Sequence, residues 1–194
     1  MSKPLVSVII PTYNRFEYLL NALESIRKQN YENIEIIIVN DCSSDERYYN
    51  YDFGKNVIKI DLDKNQKDVL GYVSAGHIRN FGIKKAKGKY IATLDDDDIW
   101  LPEKLTKQIE ILESSKNKMS ATDGLFGIGI YDKNSSYERY NKEHFHKRIA
   151  KKYKKNYFSS YKNFKFPNEF DFSFLKTHNS IITSSVIVER SLLQ

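Results

Sequence analysis

The sequence predicts an α/β fold in which a mostly parallel sheet is flanked by helices on both faces, built as a single domain. Three observations predict it. Near-continuous apolar runs of strand length, Leu5–Ile10 and Ile34–Val39, have the pattern of strands buried on both faces. Stretches with apolar residues at helical spacing alternate with such runs, as in βαβ units. Two of the runs end in carboxylates, Asp41 and Asp95 to Asp98, and open parallel sheets bind ligands at the carboxyl ends of their strands.

The first run stops at Pro11, which lacks an amide proton for a sheet ladder. Phe16, Leu19, Leu20, Leu23 and Ile26 then form one apolar stripe, so a helix follows. Asn14 is placed to cap it, with Glu17 three residues on as in a capping box. A turn at Asn30–Asn33 leads into the second strand. The polar, Tyr-rich stretch from Cys42 to Asn56 reads as loop or short helix, and Val57–Leu62 as a third strand. Ser74–Ala86 suits a helix, although Gly76 and Gly82 weaken the pattern. Tyr90–Leu94 is a fourth strand. Pro102 is well placed to start a helix carrying Leu105, Ile109 and Leu112 on one face. Leu125–Ile130 and Ile181–Val188 are further strand candidates. The order of elements is that of a Rossmann-like sheet.

A chain of 194 residues with 40% hydrophobic content can bury one core. The lone Cys42 excludes an internal disulfide framework and suits a reducing compartment. The Leu5–Ile10 run is too short for a secretory signal, and no stretch approaches the roughly 18 apolar residues of a membrane span. The expectation is a soluble, cytoplasmic chain.

Charge is unevenly placed. Lys133 to Lys165 holds 11 Lys/Arg against two acids, a net +9, whereas the remainder has 20 bases and 23 acids, a net −3. That distribution argues against a nucleic-acid-binding protein as a whole. The basic aromatic segment 133–166 reads as a solvated surface insertion, or as a site of attachment to a membrane surface.

Asp41 can accept hydrogen bonds from a nucleobase N–H or a ribose hydroxyl; a turn or helix-cap aspartate gives the same pattern. Asp95, Asp96, Asp97 and Asp98 repel one another, and a hard divalent cation, Mn²⁺ or Mg²⁺, relieves that repulsion through oxygen ligands. An acidic surface loop is the competing reading. The sequence has no G-x-G-x-x-G after its first strand, no P-loop, no zinc-type His/Cys spacing and no G-x-S-x-G elbow.

Four motifs in order carry a resemblance. Val6-Ser7-Val8-Ile9-Ile10-Pro11-Thr12-Tyr13-Asn14-Arg15 resembles the opening of glycosyltransferase family 2, whose fold is the glycosyltransferase A-type. Ile36 to Asp45 resembles its V-D-D-x-S-x-D strand end. Arg79-Asn80-Phe81-Gly82-Ile83 with Ala86 to Ile91 resembles its A-R-N-x-G…A-x-G-x-Y-I stretch, and Leu94 to Leu105 resembles L-D-x-D-D-x-w-x-p-x-K-L with its D-x-D element. The resemblance implies metal-dependent, inverting transfer from a UDP-sugar to a glycan, lipid-linked or protein acceptor. It implies that Pro11, Thr12 and Tyr13 line the uridine pocket, that Asp41 binds the uracil edge, and that Asp96 sits at the ribose or donor sugar. Arg79 would approach the diphosphate or fix the acidic loop; a helix-surface ion pair is the alternative. Asp95 and Asp97 would be the metal-binding pair. Residues 1–115 would form the donor-binding part, and residues 116–194 an incomplete acceptor side.

Three departures stand out. The family's catalytic base lies in or near an E-D pair after a strand resembling Ile181–Val188, and no such pair occurs up to Gln194, so the expectation is a base beyond that residue. In-chain substitutes are Asp123, Glu169, Asp171 and His178, none with motif support. The usual small residue between the D-x-D carboxylates is here Asp96, and Gly71–Ala75 lacks an Asn common before A-R-N. A non-catalytic nucleotide-sugar-binding module is the alternative function.

Overall fold

The computed structural model describes residues 3–141, 169, 175 and 181–193. In chain order these form β1 (Val6–Thr12), α1 (Phe16–Arg27), β2 (Ile34–Asn40), α2 (Arg47–Asn50), β3 (Val57–Asp61), α3 (Gln66–Leu70), α4 (Ala75–Ile83), β4 (Tyr90–Thr93) and α5 (Lys104–Ser114). Short strands β5 (Met119–Ser120), β6 (Leu125–Phe126), β7 (Glu138–Arg139) and β8 (Ile187–Glu189) follow, with a 3₁₀ turn at Thr183–Ser185 ahead of β8.

Six strands make one sheet in the order β3-β2-β1-β4-β8-β5. The first four run parallel, and β8 is antiparallel to both of its neighbours. The sheet is thus mostly parallel, as expected from its apolar strands. Residues Val6, Val8 and Ile10 of β1 face one core, against α1, α5 and Trp100. Ile9 faces the other, with Ile37 and Val39 of β2 and Ile78 of α4. Alternate residues serving two cores is the reason these strands are mostly apolar. Ser7 is a polar exception within β1; its hydroxyl donates to Glu35 and accepts from the Gly88 amide at 2.8 Å, so it is not stranded.

Several local expectations change. β1 continues through Pro11 to Thr12, in register with Val39 and Asn40 of β2. Asn14 does not cap α1: Arg15 occupies the cap position without a side-chain bond, and Asn14 takes a left-handed φ of 51°. Its side chain instead accepts from the Ser44 amide at 2.9 Å, while its own amide donates to Ser43 Oγ at 2.9 Å. Pro102 lies in the turn before α5, where its carbonyl accepts from the Asn30 amide. The strand expected at Leu125–Ile130 shrinks to Leu125–Phe126, paired only with β7 and separate from the main sheet. Gly127 and Gly129, the latter at φ 82°, interrupt the strand pattern. None of the described helices is long and apolar enough to cross a membrane.

Candidate functional site

β1, β2 and β4 are neighbours running in one direction, so their carboxyl ends share one edge of the sheet. Thr12, Asp41 and the acidic loop Asp95–Asp98 lie at those three ends. The Asp41 amide donates to the Thr12 carbonyl at 2.9 Å, and the Thr12 hydroxyl donates to Asp96 Oδ2 at 2.8 Å. Thr12 therefore links the two acidic positions that the sequence singles out. The same hydroxyl meets the Tyr48 hydroxyl at 2.7 Å, so it is enclosed and not open to a ligand. Pro11 is buried in the strand, whereas Tyr13 is 47% exposed and presents its ring to solvent.

The turns beyond β1 and β2 are unusual. Asn14 and Cys42, the second at φ 59°, are the described non-glycine residues in the left-handed region. Such conformations concentrate where backbone is held in place for function. Here the Asn14–Ser43 and Asn14–Ser44 bonds tie the two turns together.

Asp41 is buried and fully engaged. One carboxylate oxygen accepts from the Gln66 amide at 2.8 Å, the other from Asn65 Nδ2 at 3.0 Å. Burial pushes its pKa up, while the Gln66 amide opposes the rise. The start of α3 thus covers the carboxylate expected to read a base. Asn40, one residue earlier, braces the strand end: its Nδ2 donates to Asp61 of β3 and its Oδ1 accepts from the Ser43 amide.

The four aspartates divide their roles. Asp95 pairs with Arg79 from α4, and its amide donates to Ser184 Oγ at 2.9 Å. Asp96 is buried, and burial pushes its pKa up to about 6 against the opposing pull of Thr12 and Arg15. Asp97 is the exposed member, 2.6 Å from Arg15 Nη1. Asp98 is half-buried, and burial raises its pKa while the neighbouring Ser184 hydroxyl opposes the rise. Its amide donates to the Asp95 carbonyl, closing the turn.

Sequence reasoning missed Arg15 and Ser184. Arg15 closes the first motif, and its type and position were visible there. Ser184 gave no signal, because its contact with Asp95 spans 89 residues. Trp100 Nε1 donates to the Ser184 carbonyl at 2.7 Å and fixes the same 3₁₀ turn. Lys104 lies 4.3 Å over the Trp100 ring and donates to Gln108, and burial lowers its pKa to about 7.

No group of three acidic, His or Cys side chains among the described residues is arranged to hold a metal ion. Arg79 Nη2 takes Asp95 Oδ1 and Arg15 Nη1 takes Asp97 Oδ2. The other carboxylate oxygen of each aspartate has no hydrogen-bond partner among the described residues, and both side chains reach solvent. Hard oxygen donors of this kind fit Mg²⁺ or Mn²⁺ when a substrate supplies further ligands. Arg79 Nε is buried and has no hydrogen-bond partner among the described residues.

A cavity of about 830 Å³ opens on the far side of the acidic loop. Asp97, Asp98, Trp100, Asp123, Tyr131 and Tyr137 are among its lining residues, and Thr12, Tyr13, Asp41 and Arg79 are not. Tyr131 and Tyr137 stack with ring centres 5.5 Å apart. Of the in-chain base candidates, Asp123 pairs with Arg139 and lines this cavity, and Glu169 accepts from Asn117 at 3.4 Å. Asp171, His178 and residues 142–166 of the basic segment lie outside the described residues.

Comparison with known proteins places the chain in a family. An uncharacterized glycosyltransferase of Rickettsia felis is 39% identical over 139 residues, covering 72% of this chain and 22% of its own length. The Escherichia coli protein WfgD, a UDP-Glc:alpha-D-GlcNAc-diphosphoundecaprenol beta-1,3-glucosyltransferase, is 36% identical over 129 residues, covering 66% and 48%. Among solved structures, S. aureus TarS 1-349 in complex with UDP superposes with a TM-score of 0.50 at 28% identity, covering 59% of this chain and 34% of TarS 1-349. The chain therefore spans about a fifth to a half of the length of these proteins. The sequence model for glycosyl transferase family 2 matches residues 7–176. That match takes in both strand ends at which the acidic groups sit, and with the mostly parallel sheet beneath them it makes this chain a member of glycosyltransferase family 2.

Proposed function

We propose that the chain forms the donor-binding part of a metal-dependent, inverting glycosyltransferase that uses a UDP-sugar. The observation that carries the proposal is the link from Asp41 through Thr12 to Asp96, which ties the base-reading position to the acidic loop along one sheet edge. UDP bound to TarS and the UDP-glucose named for WfgD support uridine as the nucleoside.

In this reading Tyr13 and the Pro11–Thr12 backbone flank the uracil, and Asp41 accepts its N–H once the Asn65–Gln66 contacts are exchanged. Asp96 meets the ribose or donor sugar. Arg79 holds Asp95 in place, and a diphosphate oxygen is the kind of acceptor its Nε lacks. Asp95 and Asp97 hold Mn²⁺ or Mg²⁺, which supplies positive charge for a departing diphosphate. The acceptor hydroxyl attacks the anomeric carbon from the face opposite that diphosphate. A bond to the acceptor oxygen forms as the bond to the diphosphate oxygen breaks, and a carboxylate base takes the proton. The cavity behind the acidic loop shares Asp97 with the donor side, so it suits the acceptor. A glycan, a lipid-linked sugar or a protein side chain all present such a hydroxyl, and segment 133–166 suits attachment to a membrane surface.

Calorimetry with UDP, with and without Mn²⁺, tests the proposal. Binding that strengthens with Mn²⁺, and that falls at least tenfold in Asp97→Ala and in Asp41→Ala, is the expected result. No binding of UDP, or binding indifferent to both substitutions, overturns it.

A further inference from the structure

The acidic loop is held by two arginines of different character. Arg79 is largely buried on α4 and pairs with Asp95. Arg15 is 52% exposed, and only one of its nitrogens is used: Nη1 lies 2.6 Å from Asp97 and 3.5 Å from Asp96. Its Nε and Nη2 have no hydrogen-bond partner among the described residues. Its backbone is fixed, with its amide on the Tyr48 hydroxyl at 2.8 Å and its carbonyl accepting from the Leu19 amide. A long arm is thus anchored at its root and loosely held at its tip.

We infer that Arg15 is a resident counter-cation of the acidic loop, which leaves Asp97 when a divalent ion binds and passes its guanidinium to the diphosphate of the donor. The inference rests on the metal-dependent reading above. Two positive groups cannot share one carboxylate without repulsion, so Arg15 and the ion compete at Asp97. The unused guanidinium fork matches the oxygens of a phosphate, which gives the displaced group a new partner only when nucleotide is present. Arg15 thereby couples ion binding to nucleotide binding, and by linkage each raises the affinity for the other by the same factor.

The test is a titration of Mn²⁺ into the full chain, read by the electron paramagnetic resonance of free Mn²⁺, with and without UDP. Arg15→Gln is expected to bind Mn²⁺ about fivefold tighter without UDP, the scale of a half-exposed ion pair. The factor by which UDP strengthens Mn²⁺ binding is expected to shrink by a similar amount. Arg15→Lys, which keeps the charge but loses the fork, is expected to keep the weak Mn²⁺ binding and still lose part of the UDP effect. Unchanged or weaker Mn²⁺ binding by Arg15→Gln overturns the inference while leaving the metal-dependent reading intact. If the wild-type chain binds UDP but no Mn²⁺ under either condition, that reading falls and the inference falls with it.

Discussion

Thr12 Oγ1 lies 2.8 Å from Asp96 Oδ2, so the last residue of β1 hydrogen-bonds the buried carboxylate of the loop after β4. Asp96 is thereby held at the midpoint of the sheet edge, between the Tyr48 side of the core and the exposed Asp97. Burial, with the charges of Asp97 and Asp95, drives its pKa upward, and the Thr12 hydroxyl and Arg15 hold the rise to about 6. The ionisation of Asp96 is thus set by groups from the first motif of the sequence.

Thr12→Val removes the donor with little change of shape. Asp96 then loses a bond that favours its charged form, and its pKa is expected to climb above about 6. If Asp96 must be ionised to accept from ribose or sugar, the pH below which UDP binding is lost moves upward with it. A pH series of UDP titrations on the two proteins reads this shift; coincident profiles would show that Asp96 does not titrate in the binding range.

The same carboxylate shapes stability. Its folded pKa stands above the ordinary value of 3.8, so the folded chain retains a proton that the unfolded chain has released. Stability from this group is full below about 4 and is lost as pH rises through about 6. Asp96→Asn cannot ionise, and is expected to flatten that part of the curve and to be more stable than wild type at pH 7.5 by on the order of 1–2 kcal/mol. Urea denaturation at pH 5 and pH 7.5 checks it, with weakened UDP binding as the accompanying loss.

Ser184 holds the acidic loop from the opposite side. Ser184→Ala strands the Asp95 amide, at a cost of about 1–3 kcal/mol in stability. The Trp100 bond survives, because it uses the Ser184 carbonyl. A looser loop should weaken Mn²⁺-dependent UDP binding by about tenfold, since a loss near 1.4 kcal/mol is a factor of ten. Calorimetry with Mn²⁺ tests this, and an affinity equal to wild type would mean that the loop keeps its shape without the hydroxyl.

How much of this could be read from the chain differs by element. β1, β2 and β4 were legible because burial on both faces favours apolar residues at successive positions, and the acidic ends of β2 and β4 followed directly. The acidic positions themselves were legible, but their division of labour was not. Asp96 is held by Thr12 at the end of β1 and Asp97 by Arg15 at the cap of α1, both some 80 residues earlier, and spacing along one loop carries no such information. Asn14 misled for a related reason. A capping residue and a residue that bridges two turns have the same chemistry, and only the left-handed φ with Ser43 and Ser44 nearby decides between them. The short β6 misled because Leu125, Phe126, Ile128 and Ile130 look like a core strand, yet all four lie exposed and only Leu125 and Phe126 pair, in a two-stranded ribbon.

Gly82 and Gly88 lie in motifs that the sequence singled out, and the structure gives each a different tolerance. A Cβ on Gly82 would come within 2.7 Å of Ile9 Cγ2 and 3.1 Å of Val39 Cγ2, both side-chain methyls on the sheet beneath α4. Side-chain methyls can shift where backbone cannot, although Ile9 is fully buried, and alanine recovers about 0.5–1 kcal/mol in a helix, so Gly82→Ala should cost about 1–2 kcal/mol net. A Cβ on Gly88 would meet the Ser7 amide nitrogen at 2.7 Å and the Leu5 carbonyl oxygen at 2.8 Å. Those are backbone atoms at the start of β1 and cannot yield without disturbing its pairing with β4. The Gly88 amide also donates to Ser7 Oγ and Glu35, so a shift of the loop would break those bonds as well. Gly88→Ala is therefore expected to cost about 3 kcal/mol or more, and to lower the melting temperature well below that of Gly82→Ala. Thermal and urea unfolding of the two variants side by side decides the point, and a Gly88→Ala protein as stable as Gly82→Ala would show that the approach of this loop to β1 is looser than its distances state.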